Sequence, residues 1–147
     1  MAAGIPTIHT IIDEEFVQNA TQLAIARTII HESLHGFLLY ATSTYSQSET
    51  AKLISEYREG NNVDWQVAHH EYMAQFVEAI GHSLSVWDNK QQTIDYYNEL
   101  AWSGGMVDSD TFNQLSQQEK TAIINANIAK GSAASNATNN AKGAKSN

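Results

Sequence analysis

The sequence predicts a mainly α fold: a helical domain that opens with one short N-terminal strand or small sheet. Three observations carry this expectation. Apolar residues recur at helical spacing over long stretches, as in Leu23, Ala26, Ile30, Leu34, Phe37 and Ala41. Capping residues stand before such stretches, and Gly or Asn often follows them. β-Branched alternation is confined to "IPTIHTII", Ile5 to Ile12.

In that opening segment Ile8, Thr10 and Ile12 alternate with His9, Ile11 and Asp13, which reads as one strand. Asn19, with Gln22 after it, offers a capping box for a helix over about 20–42. Ile25, Ile29 and Leu39 lie off the stripe of that helix, so burial is expected around much of its circumference. Ser46 and Glu49 introduce a short helix, "ETAKLISEYRE", which Gly60-Asn61-Asn62 ends. Asp64 caps a long helix reaching about Trp87, with an inward stripe of Met73, Phe76, Val77, Ile80, Leu84 and Trp87. A further helix over about 91–102 stops at Ser103-Gly104-Gly105, and Ser116 with Glu119 opens a last one ending near Lys130-Gly131. Residues 1–130 therefore read as a single domain. Residues 131–147 hold no large apolar side chain and read as a disordered tail.

Composition removes several function classes. The chain has 8 basic and 16 acidic side chains among 147 residues. Nucleic-acid affinity comes mainly from Lys and Arg on phosphates, so a nucleic-acid partner is not expected. An anionic membrane surface is disfavoured for the same reason. No apolar run approaches the roughly 18 residues of a membrane span. The start, "MAAGIPTIHTIIDEEF", has neither the basic region nor the apolar block of a signal peptide. The expected location is the cytoplasm by default, or the chain is the C-terminal domain of a longer exported protein. There is no cysteine, hence no disulfide and no thiolate ligand.

The chemistry concentrates in "ARTIIHESLHGFLLY", Ala26 to Tyr40, whose centre is His31-Glu32-Ser33-Leu34-His35. Residues four apart on a helix share a face, with Cβ atoms about 5–6 Å apart. His31 and His35 can thus converge on one zinc ion. Glu32 lies about 100° further round the axis. From there it can take a proton from a water that the metal activates, the arrangement of metal-assisted amide hydrolysis. The competing reading is a hydrogen-bonded structural cluster. It must explain ionisable groups among Ile29, Ile30, Leu34, Phe37 and Leu38, where unpaired ones cost several kcal/mol.

A catalytic zinc takes three protein ligands and a water, so a third ligand is needed. The extended motif with a further Gly and His is excluded, because Leu38 and Ala41 occupy those positions. The candidates are His69, His70 and Glu71 in "VAHHEYMAQFVEAI". On a wheel anchored by Met73 to Trp87, His69 falls roughly 30° from the inward direction, His70 about 70° to one side, and Glu71 nearly opposite. His69 then resembles a core histidine, whereas the flanking place of His70 suits a ligand at the lip of a cleft. His82 lies on the outer face, and His9 lines the cleft or is solvated.

"TQLAIARTIIHESLHGFLLY", "HHEYMAQFV" and "ELAWSGG" together resemble a mostly bacterial group of zincin-like proteins, broadly similar to SprT-like metallopeptidases. The resemblance rests on His31, Glu32, His35, His70, Met73, Ala74, Leu100, Ala101, Trp102, Gly104 and Gly105, and spans about 19–105. It implies a reduced zincin-like α+β fold with His70 as third ligand and His69 as the alternative. Ser103 before the glycines, the long His35–His70 gap and the missing basic region depart from the SprT-like pattern.

The expected function is that of a zinc-dependent metallopeptidase acting on a peptide or protein substrate. Zn²⁺ would be held by His31, His35 and His70, with Glu32 as general base. Tyr40, Tyr45, Tyr72, Tyr96 and Tyr97 are the candidates to stabilise an oxyanion. The alternatives are a non-catalytic zinc-binding domain and a metal-free helical interaction module.

Overall fold

The computed structural model describes residues 7–128; the expected tail at 131–147 and the helix end near Lys130 lie outside them. The order is α1 (Glu14–Asn19), α2 (Gln22–Thr44), α3 (Glu49–Asn61), α4 (Trp65–Ala74), α5 (Val77–Trp87), α6 (Ile94–Ala101), a 3₁₀ turn (Met106–Asp108), α7 (Asp110–Asn113) and α8 (Gln117–Ile128). The fold is mainly α. The strand expected at Ile5–Ile12 is not found among the described residues: positions 7–13 carry neither helix nor strand, and Ile11 is 92% exposed. An alternating pattern forms a strand only where a neighbour accepts its hydrogen bonds. No helix among the described residues is long and apolar enough to cross a membrane.

Side-chain caps set most helix starts. Asp13, Thr21, Ser48, Asp64, Thr93 and Ser109 each accept a backbone N–H of the first turn of the helix that follows. The cap of α2 is therefore Thr21, not Asn19. Asn19 closes α1, a helix absent from the periodicity reading, and donates to the Glu15 carbonyl. Likewise Ser48, rather than Ser46, caps α3. At α8 the expected capping box is present, with Glu119 N–H donating to Ser116 Oγ and Ser116 N–H to Glu119 Oε2.

The largest difference is a break in the long helix expected from Asp64 to Trp87. α4 ends at Ala74, and α5 starts at Val77 after Phe76 leaves helical geometry with φ −112° and ψ 11°. Phe76 and Trp87, expected inward, are largely exposed, while Met73, Val77, Ile80 and Leu84 are buried. Leu23, Ala26 and Leu38 of α2, Ile54 of α3, Tyr97 and Leu100 of α6 and Met106 of the 3₁₀ turn join them in one core. α5 and α6 lie tightly together because residue 81 is glycine; an added Cβ there would collide with Asn98.

α2 runs along this core with one face only. Ile29, Phe37 and Leu39 are exposed, so the expected all-round burial does not hold. The buried face carries Leu23, Arg27, His31 and Leu38, which brings the first histidine of the motif inward.

Candidate metal centre

His31 and His35 come from successive turns of α2, and His70 from α4 packed against it. One ring nitrogen from each lies within 4.8 Å of the other two. His35 Nε2 is 2.9 Å from His70 Nε2. The ring centroids of His31 and His35 are 4.8 Å apart, and those of His31 and His70 5.5 Å. The fold thus brings together the three histidines named from the sequence. His69 stands behind the trio, with its Nδ1 3.5 Å from His35 Nδ1. Glu71 turns away from them and accepts hydrogen bonds from the Thr111 hydroxyl and backbone N–H.

Burial contradicts the flanking place expected for His70. His31 and His70 are each 3% exposed and His69 is 5% exposed; only His35 is half-buried. The wheel misplaced His70 because it carried one helical phase across the break at Gln75–Phe76. His82 and His9 are both exposed, and His9 also lines a cavity beside the site.

Burial also sets protonation. It pushes His70 down to about 4, aided by His35 and partly opposed by Asp108 and Asp64. His69 is likewise pushed down to about 4, by burial first and then by its neighbours His35 and His70. His35 is lowered by burial, with Glu32 partly restoring it. Neutral imidazoles with free nitrogen lone pairs are the form that binds a metal. This gives a prediction for metal-free protein. The unfolded chain takes protons on His69 and His70 below 6.5, the folded chain only near 4. Stability is then intact above about pH 6.5 and falls as the pH drops toward 4, because protons favour the unfolded state. Urea midpoints in chelator at pH 7.5 and pH 5 test it, and equal midpoints would contradict the burial argument.

The loop after α6 closes one side. Gly104 and Gly105 have φ +75° and +93°, and their missing side chains make room for the rings. A Cβ on Gly104 would lie 2.6 Å from His31 Nε2, and one on Gly105 2.7 Å from His70 Cε1. The other side is more open. A cavity of about 310 Å³ is lined by Glu32, His35, Gly36, His69, Gln66 and the extended residues 8–11. A neighbouring cavity of about 490 Å³ adds Phe37 and Tyr40 to Glu32 and Ile8. Ile8 can lie this close to α2 because Gly36 offers no side chain, and a Cβ there would be 3.2 Å from Ile8 Cγ2. A cavity of about 620 Å³ beside α6 and α8 lies away from the histidines and is walled by Asp95, Glu99, Trp102 and Glu119.

Among the tyrosines, Tyr40 lines a cavity with Glu32. Tyr97 donates to Asp88, Tyr72 shares a hydrogen bond with Thr50, Tyr96 is buried, and Tyr45 accepts from Tyr40. The sequence reading missed Arg27. It is 5% exposed, one turn before His31, and its Nε has no hydrogen-bond partner among the described residues. Burial lowers it to about 10, with Glu32 opposing the shift, so it remains a cation at neutral pH. Its place four residues before His31 on the same stripe was the available signal.

The donor set could hold a divalent metal: three imidazoles from two packed helices, with His35 and His70 lowered by burial, and a glutamate one residue along facing a cavity. No family model matches this chain, and neither a curated protein nor a solved structure does.

Proposed function

We propose that this protein is a zinc-dependent metallopeptidase, with His31, His35 and His70 holding the metal and Glu32 as general base. The observation that carries the reading is the convergence of those three imidazoles with Glu32 beside them on a cavity wall. Zinc in such a site acts as a Lewis acid and brings the pKa of a water to about 7. Glu32 would serve as the base that takes a proton from an attacking water and returns it to the leaving amine as the C–N bond breaks. Tyr40, on the same cavity, is the tyrosine best placed to reach a bound peptide. The motif and the glycine pair support a zincin-like assignment similar to the SprT-like group, with a peptide or protein as substrate.

Elemental analysis of protein purified without added metal, followed by a peptide-library screen with zinc-loaded protein, tests the reading. One zinc per chain is expected. His31→Ala and His70→Ala should each lose most of it, and either variant retaining stoichiometric zinc would refute the ligand set. A second reading is a structural zinc that staples α2 to α4. The deep burial of His31 and His70 and the glycine loop against them favour it. Zinc-loaded protein that cleaves nothing in the screen, with a fourth protein ligand on the metal, would establish that reading instead.

A further inference from the structure

His69 poses a problem of its own. It is a polar side chain, 5% exposed, with one hydrogen-bond contact among the described residues: its Nδ1 faces His35 Nδ1 at 3.5 Å, the outer limit of a hydrogen bond. Its Nε2 is buried without a partner among the described residues. The Trp65 ring lies beside it, centroids 6.2 Å apart, and carries the Arg58 guanidinium 4.5 Å over its face. An apolar residue would fill this space without leaving a buried N–H unsatisfied, which costs about 1–3 kcal/mol. Packing alone does not account for a histidine here.

The geometry of His35 does. Its two nitrogens face different neighbours, Nε2 toward His70 and Nδ1 toward His69. A neutral imidazole carries one proton. If Nε2 is to offer its lone pair beside His31 and His70, the proton must sit on Nδ1 and needs an acceptor. His69 Nδ1 is the acceptor within reach, and its own proton is then confined to Nε2, the atom left without a partner. The unsatisfied atom is thus the cost of the tautomer chain.

We propose, on the metal-site reading above, that His69 is a positioning residue: its Nδ1 accepts the Nδ1–H of His35 and so fixes the tautomer and ring orientation that leave His35 Nε2 available for the metal. Metal-bound histidines commonly donate their second N–H to a carboxylate or carbonyl, and loss of that partner costs about 10–100-fold in metal affinity. Here an imidazole takes the part of the carboxylate. It adds no negative charge, so it orients His35 without attracting a further cation.

Long-range ¹H–¹⁵N imidazole spectra of the metal-free protein read the tautomer directly. His35 should be the Nδ1–H form and His69 the Nε2–H form; an Nε2–H His35 would overturn the proposal whether or not metal binds. Two variants then separate acceptor from filler. His69→Phe keeps the volume and removes the acceptor. His69→Asn places an amide oxygen near the position of Nδ1. Zinc affinity by chelator competition should fall about 10–100-fold in His69→Phe and return to within a few-fold in His69→Asn. The cobalt(II) absorption of both should keep the intensity and position of the wild type, because the ligand set is unchanged. Wild-type affinity in His69→Phe would refute the positioning role. Loss of metal with an altered cobalt spectrum would make His69 a ligand instead. Wild-type protein that binds no zinc would defeat the metallopeptidase reading, and the His35 tautomer would still decide the role of His69.

Discussion

Glu32→Gln is expected to keep zinc at wild-type stoichiometry while peptide hydrolysis falls about 10²–10⁴-fold, the usual worth of a positioned general base. Gln keeps the shape and most of the hydrogen bonding, and Glu32 is not among the three converging histidines, so the metal has no reason to leave. Stability should change little, because two effects oppose. Removing a half-buried carboxylate relieves desolvation, while the buried Arg27 loses a favourable charge. The measurement is kcat/KM on a peptide from the screen, with zinc content and melting temperature on the same samples. A fall in activity accompanied by zinc loss would place Glu32 on the metal. Undiminished activity would remove it from the mechanism.

Gly104→Ala should damage the metal site directly. Its φ of +75° is strained for any residue with a Cβ, at about 1–2 kcal/mol. The added carbon would also stand 2.6 Å from His31 Nε2, so ring or loop must move. Zinc affinity is expected to drop by at least about tenfold, the scale of a 1.4 kcal/mol disturbance. Gly60→Ala is the control. That glycine lies in α3 with nothing within 4 Å of an added Cβ, so Ala should stabilise the helix by about 0.5–1 kcal/mol. Urea titration and chelator competition on both variants provide the test. A Gly104→Ala protein with unchanged zinc affinity would show that the loop yields without disturbing His31.

The parts legible in the sequence are those that depend on near neighbours. His31 and His35 follow from helical spacing, and the caps at Asp64 and Ser116 from local hydrogen bonding. What was missed depends on tertiary context. "MAQFVEAI" contains no Gly or Pro, so nothing local announces the break at Gln75–Phe76. One missed break then turned two inferences: Phe76 went inward and His70 went to a flank. α1 is too short to show a period, although Asp13 with Glu14 and Glu15 is a legible start. The glycine pair stood out as a stop and as part of a resemblance, but its place against His31 and His70 is a property of folded space. The contact between His35 and His69 is of the same kind.

The distribution of the three histidines also bears on how the chain meets a cation before it has folded. His31 and His35 belong to one helix, and any fluctuating turn of that helix presents both. His70 is 35 residues beyond His35 and reaches them only once α4 has docked. If the three histidines hold a cation as proposed, the unfolded chain grips it by two ligands and the folded chain by three. Such a cation stabilises the fold by its preference for the folded chain, reduced by the two-ligand grip of the unfolded chain. The melting temperature should thus rise steadily with free zinc, with a slope that reports the difference in grip. On that reading, zinc availability during synthesis would set how early α2 and α4 commit to each other.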